Sequence, residues 1–282
     1  MLLPTRRTRV PRPLLAATLL ALTLGLSACG SAGRITYNTP QEAYGKGIVS
    51  YEDGRYDRAV SYFRGVFDFG RTNEWADEAQ YYLARAYYED QQYLLAATEF
   101  TRFAELYRSD PRTEEAEYLR AMAYYHQSPS FALDQTNTEK AIDQFILFVT
   151  RHPASTRVAE ANERILELRN KLARKQYEAG LLYARRDLHE SAAVTFESVF
   201  DTYPDTPWAD DALLGAVRAY IDYSDLSIES RRRERLGDAL RNYERLIQIP
   251  DSPLLQEAQA LYQDIQRRLE DLPAPMATDG QR

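Results

Sequence analysis

An all-α solenoid of about five stacked helix pairs is the fold class this sequence predicts, on three observations. First, the spacing Ala-x-x-x-aromatic occurs at Ala59/Phe63, Ala96/Phe100, Ala141/Phe145, Ala192/Phe196 and Ala239/Tyr243. Three residues beyond each aromatic stands another apolar side chain: Val66, Phe103, Phe148, Val199 and Leu246. Positions i, i+4 and i+7 share one helix face, so each segment carries a core-facing stripe. Second, a small residue precedes each stripe (Gly47, Ala84, Ala121, Gly180 and Ala216), as a close helix–helix contact requires. Third, turn residues separate the helices of the compact repeats, as in Glu52-Asp53-Gly54-Arg55-Tyr56 and Arg186-Asp187-Leu188-His189. Pro153 and Pro204 close the third and fourth repeats, because proline cannot continue a helix.

The pattern resembles the tetratricopeptide repeat (TPR), in which small residues let helices A and B touch and a large residue follows one turn on. Five matches in register set it apart from generic amphipathic helices. The B-helix alanines stand 37, 45, 51 and 47 residues apart, longer than the common repeat of about 34. The surplus is placed in two inserted loops, Ser128 to Thr138 and an arginine-rich Ser224 to Arg235. Between repeats three and four, Arg157 to Arg185 has no proline and one glycine, which predicts one long continuous helix joining the two halves. Residues 40–155 are thus expected to form the N-terminal half (repeats one to three). Residues 156–271 form the C-terminal half (long helix, repeats four and five), and 272–282 a disordered tail.

The N-terminus reads as a secretion signal over residues 1–28. Arg6, Arg7, Arg9 and Arg12 make a positive n-region, and Leu14 to Leu26 is an apolar run too short for a comfortable membrane span. Leu26-Ser27-Ala28-Cys29 resembles the bacterial lipobox, in which the cysteine is acylated and becomes the new N-terminus. Cys29 is the only cysteine, so no disulfide can form within one chain. The next residue is Gly30, not the aspartate that retains many lipoproteins in the inner membrane, which implies the outer membrane. Buried acyl chains contribute ~0.8 kcal/mol per methylene, and two or more hold firmly. Residues 29–39 are the lipidated N-terminus and tether; the ten residues from Gly30 to Thr39 span at most ~35 Å. The folded part therefore works close to the membrane, facing the periplasm.

Without the signal the chain keeps 31 basic against 42 acidic residues, a net charge of −11. Such a balance offers no footprint for nucleic acid. His126, His152 and His189 are scattered over different repeats, without the spacing of a metal site. No nucleophile elbow, phosphate loop or dinucleotide fingerprint is found. The acidic pairs Glu114-Glu115 and Asp210-Asp211 fall where solvated helix N-termini are expected. A non-enzymatic chain is expected, with no catalytic or metal-binding residues and no cofactor beyond the covalent N-acyl and S-diacylglyceryl lipid on Cys29.

In a TPR superhelix the A-helices line the concave face. Three residues before the small contact residue stand Tyr44, Tyr81, Tyr118 and Tyr177; four after it stand Tyr51, Tyr88, Tyr125 and Tyr220. Tyrosine offers a flat apolar ring, a hydroxyl that donates or accepts, and a low entropic cost of fixing. Tyr44, Tyr51, Tyr81, Tyr88, Tyr118 and Tyr125 are therefore candidates for a peptide groove, with packing between repeats as the alternative. Arg231, Arg232 and Arg233 are candidates for contact with an acidic partner, or else a solvated loop.

Two local signatures carry a closer resemblance: Leu168-Arg169-Asn170-Lys171-Leu172-Ala173 in the long helix and Tyr203-Pro204-Asp205-Thr206-Pro207 ending repeat four. With Tyr44-Gly45-Lys46-Gly47, the lipobox and the third-repeat loop, they make residues 26 to 268 similar to the BamD (ComL/YfiO) family of outer-membrane lipoproteins. The resemblance implies a scaffold of the β-barrel assembly machinery. In that family the C-terminal repeats dock the barrel protein BamA, and the N-terminal repeats are proposed to receive the aromatic-ending signal of unfolded barrel substrates. Accessory lipoproteins are possible further partners. The arginine-rich insert of repeat five departs from the family pattern, so the BamA contact can differ in detail. TPR lipoproteins of pilus secretin assembly, exopolysaccharide export or cell-wall coordination remain the alternatives.

Overall fold

The computed structural model describes residues 34–273. The expected signal, Cys29 and all but the first two residues of the expected tail lie outside the described residues. Five antiparallel helix pairs follow one another: α1 (Pro40–Glu52) with α2 (Tyr56–Val66), α3 (Ala76–Glu89) with α4 (Tyr93–Leu106), and α5 (Thr113–His126) with α6 (Thr136–Arg151). Then come α7 (Val158–Ala184) with α8 (His189–Thr202), α9 (Ala209–Asp225) with α10 (Glu229–Leu246), and a single closing helix α11 (Leu255–Glu270). Each helix packs chiefly on its neighbours in sequence, which is the one-dimensional logic of a solenoid.

Local chemistry sets the boundaries. Pro40 opens α1, and the Thr39 hydroxyl accepts from the Glu42 amide at 3.0 Å. The compact A-to-B turns need one left-handed residue, and Gly54 (φ 71°), Gln91 (φ 59°) and Asp187 (φ 57°) supply it at equivalent positions. Before α3, α5, α7 and α11 a short polar residue caps the turn. The Asn73 carboxamide oxygen accepts from the Trp75 amide at 2.9 Å, and the Asp110 carboxylate from the Arg112 amide at 2.8 Å. Ser155 and Ser252 repeat this arrangement before α7 and α11.

Packing follows the stripes. Ala59, Ala96, Ala141, Ala192 and Ala239 are all fully buried, as are Phe63, Phe100, Phe145 and the five apolar residues that follow the aromatics. A Cβ on Gly47 would lie 2.5 Å from the Phe63 ring, and one on Gly180 2.6 Å from Phe196. Glycine there is a condition of contact between helices A and B. The 27-residue α7 spans ~40 Å. It lends Leu168 to the core of repeat three and Ala173 to that of repeats four and five, so one unbroken helix belongs to both.

Two boundaries differ from expectation. The third-repeat insert ends earlier, since Thr136, Asn137 and Thr138 already belong to α6. The arginine-rich segment is not a loop: Glu229 to Arg235 forms the first two turns of α10. It holds no glycine or proline, and arginine and glutamate are strong helix formers. The closing helix α11 falls within the expected C-terminal half, where it buries Ala258 and Ile265 against the last pair.

Candidate functional site

The tyrosine rows take two different depths. Tyr81 and Tyr118 are 4% and 5% exposed, so the expectation that they face an open groove is corrected. Tyr81 packs on Phe100 and Phe103, with ring centroids 6.5 and 5.4 Å away. Tyr118 meets Phe145 and Phe148 in the same way, at 6.1 and 5.4 Å. Three residues before the contact position, a helix-A side chain still points at helix B, where the +4 and +7 residues of the stripe wait for it. Tyr44 is half-buried against Phe63 at 6.1 Å, and Tyr177 against Phe196 at 5.4 Å.

A feature that sequence reasoning missed covers these rings. The residue just before each following A-helix lies over the tyrosine of the repeat before it. Trp75 stacks on Tyr44 at 5.2 Å and Trp208 lies 5.3 Å from Tyr177. The Arg112 guanidinium sits 5.4 Å over Tyr81, and that of Arg157 4.9 Å over Tyr118. Aromatic or cationic faces thus join each repeat to the next. The signal was present in the sequence as a bulky or basic residue two places after each cap.

The second row lies nearer the surface. Tyr51, Tyr88 and Tyr125 are half-buried, and their hydroxyl or ring edges meet polar neighbours. The Tyr88 hydroxyl is 3.0 Å from His126 Nε2, and His126 in turn stacks on Tyr93 at 4.7 Å. Tyr125 donates to the Glu167 carboxylate at 2.8 Å beneath the Arg164 guanidinium. Tyr51 lies edge-on to Tyr56 and Tyr82, both at 5.6 Å. Tyr220 is 7% exposed and donates to Glu197 at 3.0 Å.

Burial raises the pKa of these phenols. Tyr44 is pushed up to about 12 by burial and then by Tyr82, and Tyr88 to about 12 by burial and then by Tyr93. Tyr81 reaches about 12 through burial, then through its 2.7 Å hydrogen bond to Glu115. Burial also raises Tyr51, Tyr118 and Tyr125. Phenols held neutral in this way suit packing and hydrogen bonding.

The arginine trio is occupied within the chain. Arg231 pairs with Glu234 at 2.6 Å, Arg232 donates to the Ser227 carbonyl at 3.1 Å, and Arg233 donates to the Pro273 carbonyl at 3.0 Å. Beside them, Leu226 and Ile228 in the α9–α10 turn are 70% and 72% exposed. This apolar edge was not foreseen. The histidines are structural neighbours of other groups: His152 Nε2 lies 2.7 Å from Glu117, and His189 Nδ1 lies 3.8 Å from Asp222. Among the described residues no group of three or more His, Cys, Asp or Glu side chains could hold a metal, and no helix is long and apolar enough to cross a membrane.

A series of small-contact helix pairs with aromatic or cationic inter-repeat joints defines the class: an α-solenoid of the TPR type. Within that class, a family model described as YfiO, an outer membrane lipoprotein, matches residues 36–237. That is more than half of the 282 residues, and the chain belongs to this family. Among curated proteins it is similar to the outer membrane protein assembly factor BamD of Xylella fastidiosa strain Temecula1. The two are 27% identical over 103 residues, 36% of this chain and 35% of that protein. The same factor of strain 9a5c matches to the same extent. The chain thus spans about a third of the length of the curated relatives it matches. Among solved structures it is similar to a TPR repeats protein from Bacteroides fragilis, with a TM-score of 0.49 and 13% identity, over 82% of this chain and all of that one.

Proposed function

We propose that this chain is a non-enzymatic scaffold lipoprotein of the β-barrel assembly machinery, helping barrel proteins to fold into the outer membrane. The observation that carries this reading is membership of the outer membrane lipoprotein family over residues 36–237. The likeness to relatives named as outer membrane protein assembly factor BamD directs it to barrel assembly. In this reading acyl chains on Cys29 hold the protein to the outer membrane and the solenoid hangs in the periplasm.

The C-terminal repeats receive a BamA-like barrel protein. What supports this is the apolar edge of Leu226 and Ile228, flanked by Arg231, whose side chain is 60% exposed. Such an edge suits a partner that covers the two aliphatic side chains and competes with Glu234 for Arg231. The N-terminal repeats receive unfolded barrel substrates along the half-buried row of Tyr51, Tyr88 and Tyr125. Accessory lipoproteins are further partners in the same reading.

Conditional depletion tests the role. The expected result is a fall in folded barrel proteins across the outer membrane, with unfolded precursors accumulating in the periplasm. Unchanged barrel levels, with loss of pilus secretin or polysaccharide export instead, would overturn the proposal.

A further inference from the structure

A buried arginine with unpaired donors lies between repeats two and three. Arg120 on α5 is 7% exposed. Among the described residues its Nε and Nη2 have no hydrogen-bond partner. The nearby Glu117 is already held by Arg151 and by His152 Nε2. Burying a guanidinium with unpaired donors is costly, and burial pushes the Arg120 pKa down although Glu117 opposes it.

The fold does not ask for this charge. Arg120 stands immediately before the small contact residue Ala121, and the other repeats place Lys46, Leu83, Ala179 and Gly215 at that position. Leu83 is 2% exposed and serves there as an ordinary core residue. Gly215 lies directly against the Phe196 ring.

Space accompanies the charge. Arg120 lines a pocket of about 470 Å³ whose charged and titratable side chains also include Arg108, Arg151, His152, Glu105 and Glu117. Ala104 lines it too. Ala104 stands eight residues past its B-helix alanine, where the other repeats carry Phe67, Val149, Phe200 and Ile247. The equivalent pocket between repeats one and two has the same volume but is lined by Phe67 and Leu83, so what sets this one apart is a small residue and a buried arginine in their place. His152 aside, three guanidiniums and two carboxylates line the pocket, one more positive charge than negative.

We propose that this pocket is a binding site for a carboxylate group, which accepts from the unpaired donors of Arg120. One excess charge matches a monoanion. A phosphate dianion would add a second negative charge beside Glu105 and Glu117 without a cation to meet it. The site does not depend on the role proposed above, since its residues lie on α4, α5 and the end of α6, away from the C-terminal edge.

The test uses the full chain in detergent micelles, with sodium acetate as the probe and chloride replaced to keep ionic strength constant. The midpoint of thermal unfolding is expected to rise saturably, by about 3 °C at acetate tenfold above half-saturation. Arg120→Met removes the charge at similar volume and is expected to abolish the rise. Ala104→Phe keeps Arg120 but adds a bulky ring to the pocket wall beside it, and is expected to weaken the rise. A flat response in the wild-type chain would overturn the proposal, as would an equal rise in either variant. A larger rise with phosphate than with acetate at matched ionic strength would overturn the carboxylate assignment. Should Arg120→Met fail to fold, the comparison of wild type with Ala104→Phe decides.

Discussion

At the scale of single residues, tyrosine does most of the joining. Periodicity alone put Tyr81 and Tyr118 in the correct row of helix A, but depth could not be read from it. A tyrosine facing a groove and one facing the next helix have the same spacing; only the partners Phe103 and Phe148, close in space and far in sequence, separate them. The small contact residues were legible because their size is their function, as at Gly47 and Gly180. Arg120 was not legible, since an arginine in a charged helix is ordinarily a surface residue. The buried phenols carry a pH dependence. Tyr44, Tyr81 and Tyr88 titrate near 12 in the folded chain, above the ordinary value of about 10. Between these limits the unfolded chain has released protons that the folded chain retains. The stabilisation is therefore complete below about pH 10 and is lost as the pH rises toward about 12. A spectrophotometric titration at about 295 nm, run with circular dichroism, should show phenolate formation delayed relative to free tyrosine and helicity falling as it catches up. Ionisation near pH 10 with helicity intact would show that the rings are not held in the joints.

At the scale of elements, the B-helices were the most legible, because alanine, aromatic and aliphatic side chains repeat at helical spacing on one face. The long α7 was legible for the same kind of reason: nothing between Arg157 and Arg185 breaks it. The start of α10 was misjudged because an arginine run was equated with a solvated insert, while its residues favour helix. The connection from α5 to α6 was recognised as an insert, but its anchoring was not visible in the sequence. Lys171 donates to the Ser128 hydroxyl at 2.7 Å and Lys175 to the Leu133 carbonyl at 2.6 Å. The Arg174 guanidinium lies 4.1 Å over Phe131 and 5.8 Å from Trp208, whose indole donates to Asn170 at 2.6 Å. The loop is thereby fastened to the central helix and, through Trp208, to repeat four. Replacing Lys171 and Lys175 together with alanine should speed amide exchange in residues 127–135 by about tenfold, the equivalent of ~1.4 kcal/mol. The unfolding midpoint should fall by no more than about 4 °C. Unchanged exchange in that loop would show that the lysines do not hold it.

At the scale of the whole molecule, the fold is a stack in which every joint involves neighbours and the central helix is shared by both halves. The proposed function assigns two kinds of surface to other molecules: the half-buried row of Tyr51, Tyr88 and Tyr125 and the apolar turn of the fifth repeat. The general plan was legible in the sequence because repetition makes weak signals add. The apolar turn was not, since Leu226 and Ile228 beside an arginine run read as one loop until α10 was seen to begin at Glu229. If the chain works in barrel assembly, its partnership with a barrel protein should pass through that turn. The most direct measurement is an affinity pull-down from membranes in mild detergent, with the chain tagged at its C-terminus, beside a Leu226→Asp/Ile228→Asp variant. A BamA-like barrel protein should be recovered in near-equal amount with the wild-type chain and at least about tenfold less with the variant, whose helical content should stay unchanged. Absence of any barrel-assembly protein from the wild-type sample, with a secretin or export porin in its place, would contradict the proposed function and leave only the scaffold.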